Sequence, residues 1–105
     1  MIYHIAEKEE WENSENYYCP LTFNTEGFIH CSTKEKICES ANKFFKGKSG
    51  ILLLSIDENK VTAEIKWEDL YSFNYKFPHI YGKLNKDSVI SITEIYSDTN
   101  GEFKL

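Results

Sequence analysis

Arginine is absent from this chain: all 12 basic side chains among its 105 residues are Lys, against 17 Asp and Glu, for a net charge of −5. Nucleic-acid modules usually carry a basic patch or stripe, often built with Arg. An acidic, Arg-free chain argues against that class, and no nucleic-acid partner is expected. The forked guanidinium that grips phosphate bidentately is missing too. A polyanionic ligand must then be held by Lys, hydroxyls and backbone N–H groups. Cysteine is scarce and odd in number: Cys19, Cys31 and Cys38, with no C-x-x-C spacing. That pattern suits reduced thiols, not a disulfide framework. Long apolar runs are lacking as well. The longest, Ile51-Leu52-Leu53-Leu54, falls far short of the roughly 20 residues that span a bilayer. No membrane association is expected. Met1-Ile2-Tyr3-His4 has neither a basic n-region nor an apolar h-region, so no signal peptide is expected. A cytoplasmic location follows from these absences.

What is present is a foldable chain. Hydrophobic residues make up 41% and aromatics 15%, which rules out intrinsic disorder. At roughly 100–150 residues per domain, residues 1–105 form one domain. About 65% of its surface can be buried on folding, enough for a core without staples. No linker, repeat or low-complexity stretch interrupts it.

Ile2-Tyr3-His4-Ile5 predicts a first strand, and the acidic stretch 7–16 around Trp11 permits a helix. Residues 27–31 predict a second strand. Ser32-Thr33-Lys34-Glu35 matches a capping box, with Ser32 as N-cap. The spacing of Ile37, Ala41, Phe44 and Phe45 then predicts one apolar helix face over 33–45, with Gly47 closing it. Residues 51–56 read as a strand buried on both faces, mid-sheet. Val61, Ala63, Ile65 and Trp67 alternate with polar residues, predicting a half-exposed strand paired to the previous one. Phe77-Pro78-His79-Ile80-Tyr81-Gly82 reads as a shaped turn, because Pro fixes one dihedral and Gly permits an unusual one. Residues 88–96 predict a last strand, and Phe103 a short return strand. The order predicts an α+β fold, with a curved, mostly antiparallel split sheet and one main packed helix.

Three histidines stand out: His4, His30 and His79. Each sits in a strand-like or shaped segment, where an imidazole is either a satisfied core group or a site group. His30 and Ser32 share a face by period two, and Cys31 points away, against a His30–Cys31 nucleophilic pair. Ser32 and Thr33 at a helix start, beside His30, form a natural corner for an anion or a ribose phosphate. Tyr81 shares the face of His79. Among the carboxylates, Glu94 lies mid-strand between Thr93 and Ile95, where it must face solvent, a partner or a pocket, and it is the candidate catalytic carboxylate. Glu68 reads first as a solvated carboxylate and second as a general base.

These blocks resemble a known family. Tyr3-His4-Ile5, Trp11, Glu26-Gly27-Phe28-Ile29-His30-Cys31-Ser32-Thr33, Ala41-Asn42-Lys43-Phe44-Phe45, residues 52–57, Trp67-Glu68 and Phe77-Pro78-His79-Ile80-Tyr81-Gly82 look like the small bacterial family called domain of unknown function 952. The resemblance implies the ADP-ribosyltransferase fold, the NAD-binding split-sheet architecture of diphtheria-type toxins. It places His4 where a ribose-contacting histidine stands in the His-Tyr-Glu class. His30, Ser32, His79 and Tyr81 would face the same cleft. It implies NAD as a substrate, a nucleotide-like small-molecule ligand, and glycosidic cleavage or ADP-ribosyl transfer, with no metal. The missing Arg excludes the Arg-Ser-Glu class. Two alternatives come from the residues themselves. Three neutral imidazoles plus water would make a hydrolytic metal site, although no H-x-H or H-x-x-x-H spacing supports it. A non-catalytic interaction module would show a large apolar patch and no polar cleft.

Overall fold

Antiparallel pairing organises the chain into three sheets. The computed structural model describes residues 1–105. In chain order the elements are β1 (Ile2–Glu7), α1 (Lys8–Glu12), β2 (Tyr17–Tyr18), α2 (Phe23–Glu26), β3 (Ile29–His30), α3 (Ile37–Phe44), β4 (Ile51–Ile56), β5 (Glu64–Glu68), β6 (Phe77–Tyr81), β7 (Leu84–Asn85) and β8 (Val89–Ile95). One sheet has the order β1-β4-β8, a second β3-β6-β5, and β2 pairs with β7. The α+β class follows.

β4 is central because its side chains are apolar on both faces. Leu52, Leu54 and Ile56 join Ile2 and Ala6 in a first core, which also takes Ile29 and Ile80 from the second sheet. Ile51 and Leu53 join Ile5 in a second core, under Ile37 and Ala41 of α3 and closed by Phe103. A single bridge stitches the two large sheets together. Tyr3 N–H donates to the Ser32 carbonyl at 2.9 Å, and Ser32 N–H to the Tyr3 carbonyl at 2.7 Å. The end of β3 is thereby fixed against the start of β1. No helix is long and apolar enough to cross a membrane.

Four elements depart from the sequence reading. β5 pairs with β6, not with β4, because the turn of Glu58–Lys60 carries the chain over to the other sheet. Residues 77–81 are no turn but the central strand of that sheet. Pro78 is tolerated there at the end of the short β3, where its carbonyl accepts from Cys31 N–H at 3.0 Å. The N–H that Pro lacks would face the Cys31 carbonyl just past the end of β3, so only a terminal ladder bond is lost. Gly82 is required by close approach rather than by an unusual dihedral: a Cβ there would lie 2.8 Å from the Ala63 Cβ. Helix α3 begins at Ile37, and Ser32 does not cap it. Ser32 is held extended by its bridge to Tyr3, and the intervening turn closes on the Thr33 carbonyl, which accepts from Ile37 N–H at 2.9 Å. Phe103 forms no strand; it fills the second core as a single buried ring.

All three thiols are free. Cys31 lies within the first core, and burial pushes its pKa far above the ordinary thiol value. The thiolate is the reactive form. Cys31 is therefore expected to resist iodoacetamide in the native protein and to react only on unfolding. Mass spectrometry of timed labelling checks this; early modification of Cys31 would contradict it.

Candidate functional site

The register of the second sheet builds the site. His30 of β3 stands opposite His79 of β6, and Lys66 of β5 stands on the other side of His79. Side chains alternate across a strand, so His30, Phe77, His79, Tyr81, Lys66 and Glu68 share one face. Ile29 and Ile80 turn to the first core. Of the residues on the shared face, His30, Phe77 and His79 line a cleft of about 640 Å³. Its far side is formed by Tyr3 and His4 of β1 and by Lys36, Lys43 and Lys48 along and beyond α3.

His79 is 1% exposed. Its ring stacks on Phe28, with centroids 4.2 Å apart. Its Nδ1 lies 3.0 Å from Glu68 Oε1. A carboxylate accepts only, so Nδ1 carries the hydrogen and Nε2 the lone pair. Nε2 has no hydrogen-bond partner in the protein, and His79 is among the residues that line the cleft. Burial lowers the His79 pKa, while the bond to Glu68 pulls it back up. Glu68 in turn accepts from the Tyr81 hydroxyl at 2.5 Å. The hydrogen bonds from Tyr81 and His79 hold its carboxyl below the ordinary carboxylate range. The same bond pushes Tyr81 up to about 12. Lys66 Nζ lies over the Tyr81 ring at 4.7 Å.

His30 repeats this pattern nearer the solvent. Its Nε2 is held by Glu26 of α2, and the Tyr71 hydroxyl donates to the same carboxylate at 3.1 Å. The two imidazoles meet edge to face, 5.3 Å apart. Each is thus held by one carboxylate that also accepts from one tyrosine.

His4 differs from both. It points into the first core from β1, and both nitrogens are occupied. Nδ1 donates to the His30 carbonyl at 2.5 Å, and Nε2 accepts from the Tyr18 hydroxyl at 2.9 Å. Burial lowers its pKa to about 4. The ring borders the cleft, but it works as a neutral strut between β1, β2 and β3. A hydrogen bond from either ring nitrogen to a ribose, the role implied by resemblance, requires one of these two bonds to break. No group of three or more His, Cys, Asp or Glu side chains is placed to hold a metal ion.

The other candidates divide. Ser32 lines the cleft, 2% exposed, and its Oγ is buried without a partner. Thr33 is tied to Tyr75, hydroxyl to hydroxyl at 2.8 Å. Tyr81 stands behind His79 on Glu68, outside the cleft lining. Glu94 is not at the site. It lies on β8 in the first sheet and accepts from Lys8 Nζ at 3.0 Å. The carboxylates beside the imidazoles are Glu26 and Glu68 instead, because β8 pairs only with β4 and never meets the second sheet.

The sequence reading passed over the aromatic wall. Tyr71, Phe73, Tyr75 and Phe77 all line the cleft. Ser72 and Asn74 between them both take φ 59°. The Asp69 carboxylate fixes the loop by accepting from Phe73 N–H at 2.8 Å and Asn74 N–H at 2.9 Å. Lys43 Nζ sits 3.8 Å over the Phe73 ring. The signal was the aromatic at every second position from 71 to 77. No comparable signal marked Glu26, whose place four residues before His30 matters only once α2 turns back.

Fold and cleft together define a small α+β domain of antiparallel sheets, with two carboxylate-held histidines in an aromatic-walled cleft between them. The chain belongs to the family described as "Protein of unknown function (DUF952)", whose model matches residues 3–92. It is similar to the crystal structure of protein CC0527 from Caulobacter crescentus, at 28% identity and TM-score 0.90 over 99% of this chain and 93% of that one. The solution NMR structure of CC0527 matches with 28% identity and TM-score 0.81, over 96% and 89% of the two chains. None of the curated proteins is a match.

Proposed function

We propose that the cleft takes a nucleotide-like ligand of the NAD kind and cleaves its nicotinamide–ribose bond, by hydrolysis or ADP-ribosyl transfer, in the manner of a small ADP-ribosyltransferase-like domain working in the cytoplasm. The observation that carries this reading is Ser32. Its hydroxyl is buried in the cleft with no partner, a state that costs about 1–3 kcal/mol. A bound ligand with a polar group at this point removes that cost. The surroundings fit a phosphorylated, ring-bearing molecule. Aromatic side chains offer stacking surfaces for a base or a nicotinamide. Lys36, Lys43 and Lys48 line the cleft beside four glutamates; Lys36 and Lys48 pair with Glu39 and Glu7, which leaves Lys43 as the cation to meet a phosphate without Arg. Glu26 supplies a carboxylate in the cleft, where charge builds on the sugar as the bond breaks. A non-catalytic interaction module accounts for none of these polar groups.

Calorimetric titration with NAD, ADP-ribose and nicotinamide, at pH 6 and pH 8, tests the reading. Binding in the millimolar range or tighter is expected. His30→Ala should weaken it by roughly 1–3 kcal/mol, up to about a hundredfold. Ser32→Ala should weaken it too, while leaving thermal stability equal or higher, because an unsatisfied buried hydroxyl is removed. No binding by any fragment, or binding indifferent to His30→Ala, would overturn the reading.

A further inference from the structure

We propose that His79, aligned by Glu68, is the general base of this cleft. The inference rests on the reading of the cleft as an NAD site, and it adds the residue that activates the attacking group. Three observations on adjacent strands converge. Glu68 Oε1 holds His79 Nδ1 at 3.0 Å, which sets the tautomer and leaves the lone pair on Nε2. The Phe28 ring stacked at 4.2 Å fixes the plane of the imidazole. The Tyr81 hydroxyl, 2.5 Å from the same Glu68 oxygen, holds the carboxylate in place and ionised. The remaining groups facing His79 are His30 across the sheet, with Glu26 behind it, and Lys66 beside it. His79 is thus the better buried of the two cleft imidazoles, and its remaining nitrogen has no hydrogen-bond partner in the protein.

The step balances as follows. A water or acceptor hydroxyl forms its oxygen bond to the ribose C1′ and gives its proton to His79 Nε2. The C1′–nitrogen bond breaks, and its electron pair stays on the nicotinamide, discharging the ring's positive charge. The His79 imidazolium is stabilised by ionised Glu68 and later loses its proton to solvent. Glu68 touches neither substrate nor the reacting atoms; it is a positioning residue.

Two measurements on the full chain decide the matter. Long-range ¹H–¹⁵N NMR of the histidine rings, without ligand, should show His79 with hydrogen on Nδ1. In Glu68→Gln its titration should move to lower pH, because the carboxylate favours the charged ring. Steady-state release of nicotinamide from NAD should fall about a hundredfold or more in Glu68→Gln, with KM unchanged. The acid limb of the pH–rate profile should move down with the His79 titration, a shift that a merely structural role would not cause. Hydrogen on Nε2, a titration unmoved by Glu68→Gln, or NAD bound but never cleaved would overturn the proposal. If wild type binds no NAD, the proposed function fails by itself, and the ring tautomer still decides whether Glu68 sets His79 as an acceptor.

Discussion

Lowering the pH from 8 to 4 is expected to remove about 3 kcal/mol of stability through His4 alone. In the folded chain burial holds this imidazole near a pKa of about 4, against 6.5 for the model side chain. Between those values the unfolded chain binds the proton and the folded chain does not, so stability rises with pH across the window. The contribution is complete above pH 6.5, is lost progressively as pH falls, and is gone below about pH 4. A shift of roughly two and a half units at 1.36 kcal/mol each gives the figure. Lowered His79 adds in the same sense. Urea unfolding at stepped pH measures the effect. His4→Asn keeps a donor for the His30 carbonyl but leaves the Tyr18 hydroxyl unpaired. It should cost about 1–3 kcal/mol at pH 7 and flatten the slope between pH 6.5 and 4. An undiminished slope in His4→Asn would show that other groups carry the acid sensitivity.

Ile80→Ala should destabilise the chain by about 2–5 kcal/mol. Ile80 is 0% exposed and stands in the first core with Ile29, Leu54 and Leu84. Its removal leaves a cavity between two sheets that cannot both relax. At roughly 4–8 °C per kcal/mol for a domain of nearly this size, the melting temperature should fall by about 8 °C or more. Ile90→Ala on β8 is the control. That side chain is 56% exposed, and its loss should change stability by less than about 0.5 kcal/mol. Equal, small losses at both positions would mean that Ile80 sits in a turn, as the Pro–Gly punctuation suggests, and not in the central strand.

Ile80 also shows where a local reading stops. Residues 51–56 announce their strand because a nearly continuous apolar run has to be covered on both sides, and the structure has that strand at Ile51–Ile56. Ile2-Tyr3-His4-Ile5 and the residues after Ser88 are legible from their β-branched and aromatic content. Pro78 and Gly82 mark a turn by propensity alone, yet pairing with β3 on one side and β5 on the other overrides it. The alternation of Val61, Ala63, Ile65 and Trp67 announces a half-exposed strand. It says nothing about the partner, since any edge of suitable hand satisfies the same pattern.

The site divides along the same line. Composition alone determined that any anion must be met by Lys, hydroxyls and backbone, and period two alone put His30 and Ser32 on one side of their strand. The three imidazoles are equally visible in the sequence, and there they look alike. Tertiary structure separated them. It turned His4 into the core, where two protein partners consume its nitrogens. It brought Glu68 to His79 and Glu26 to His30, and it left Glu94 on another sheet with Lys8. The physical reason is that period and propensity are properties of neighbours along the chain. Which carboxylate reaches which imidazole depends on strand register and sheet order, and these are settled only when the two cores close.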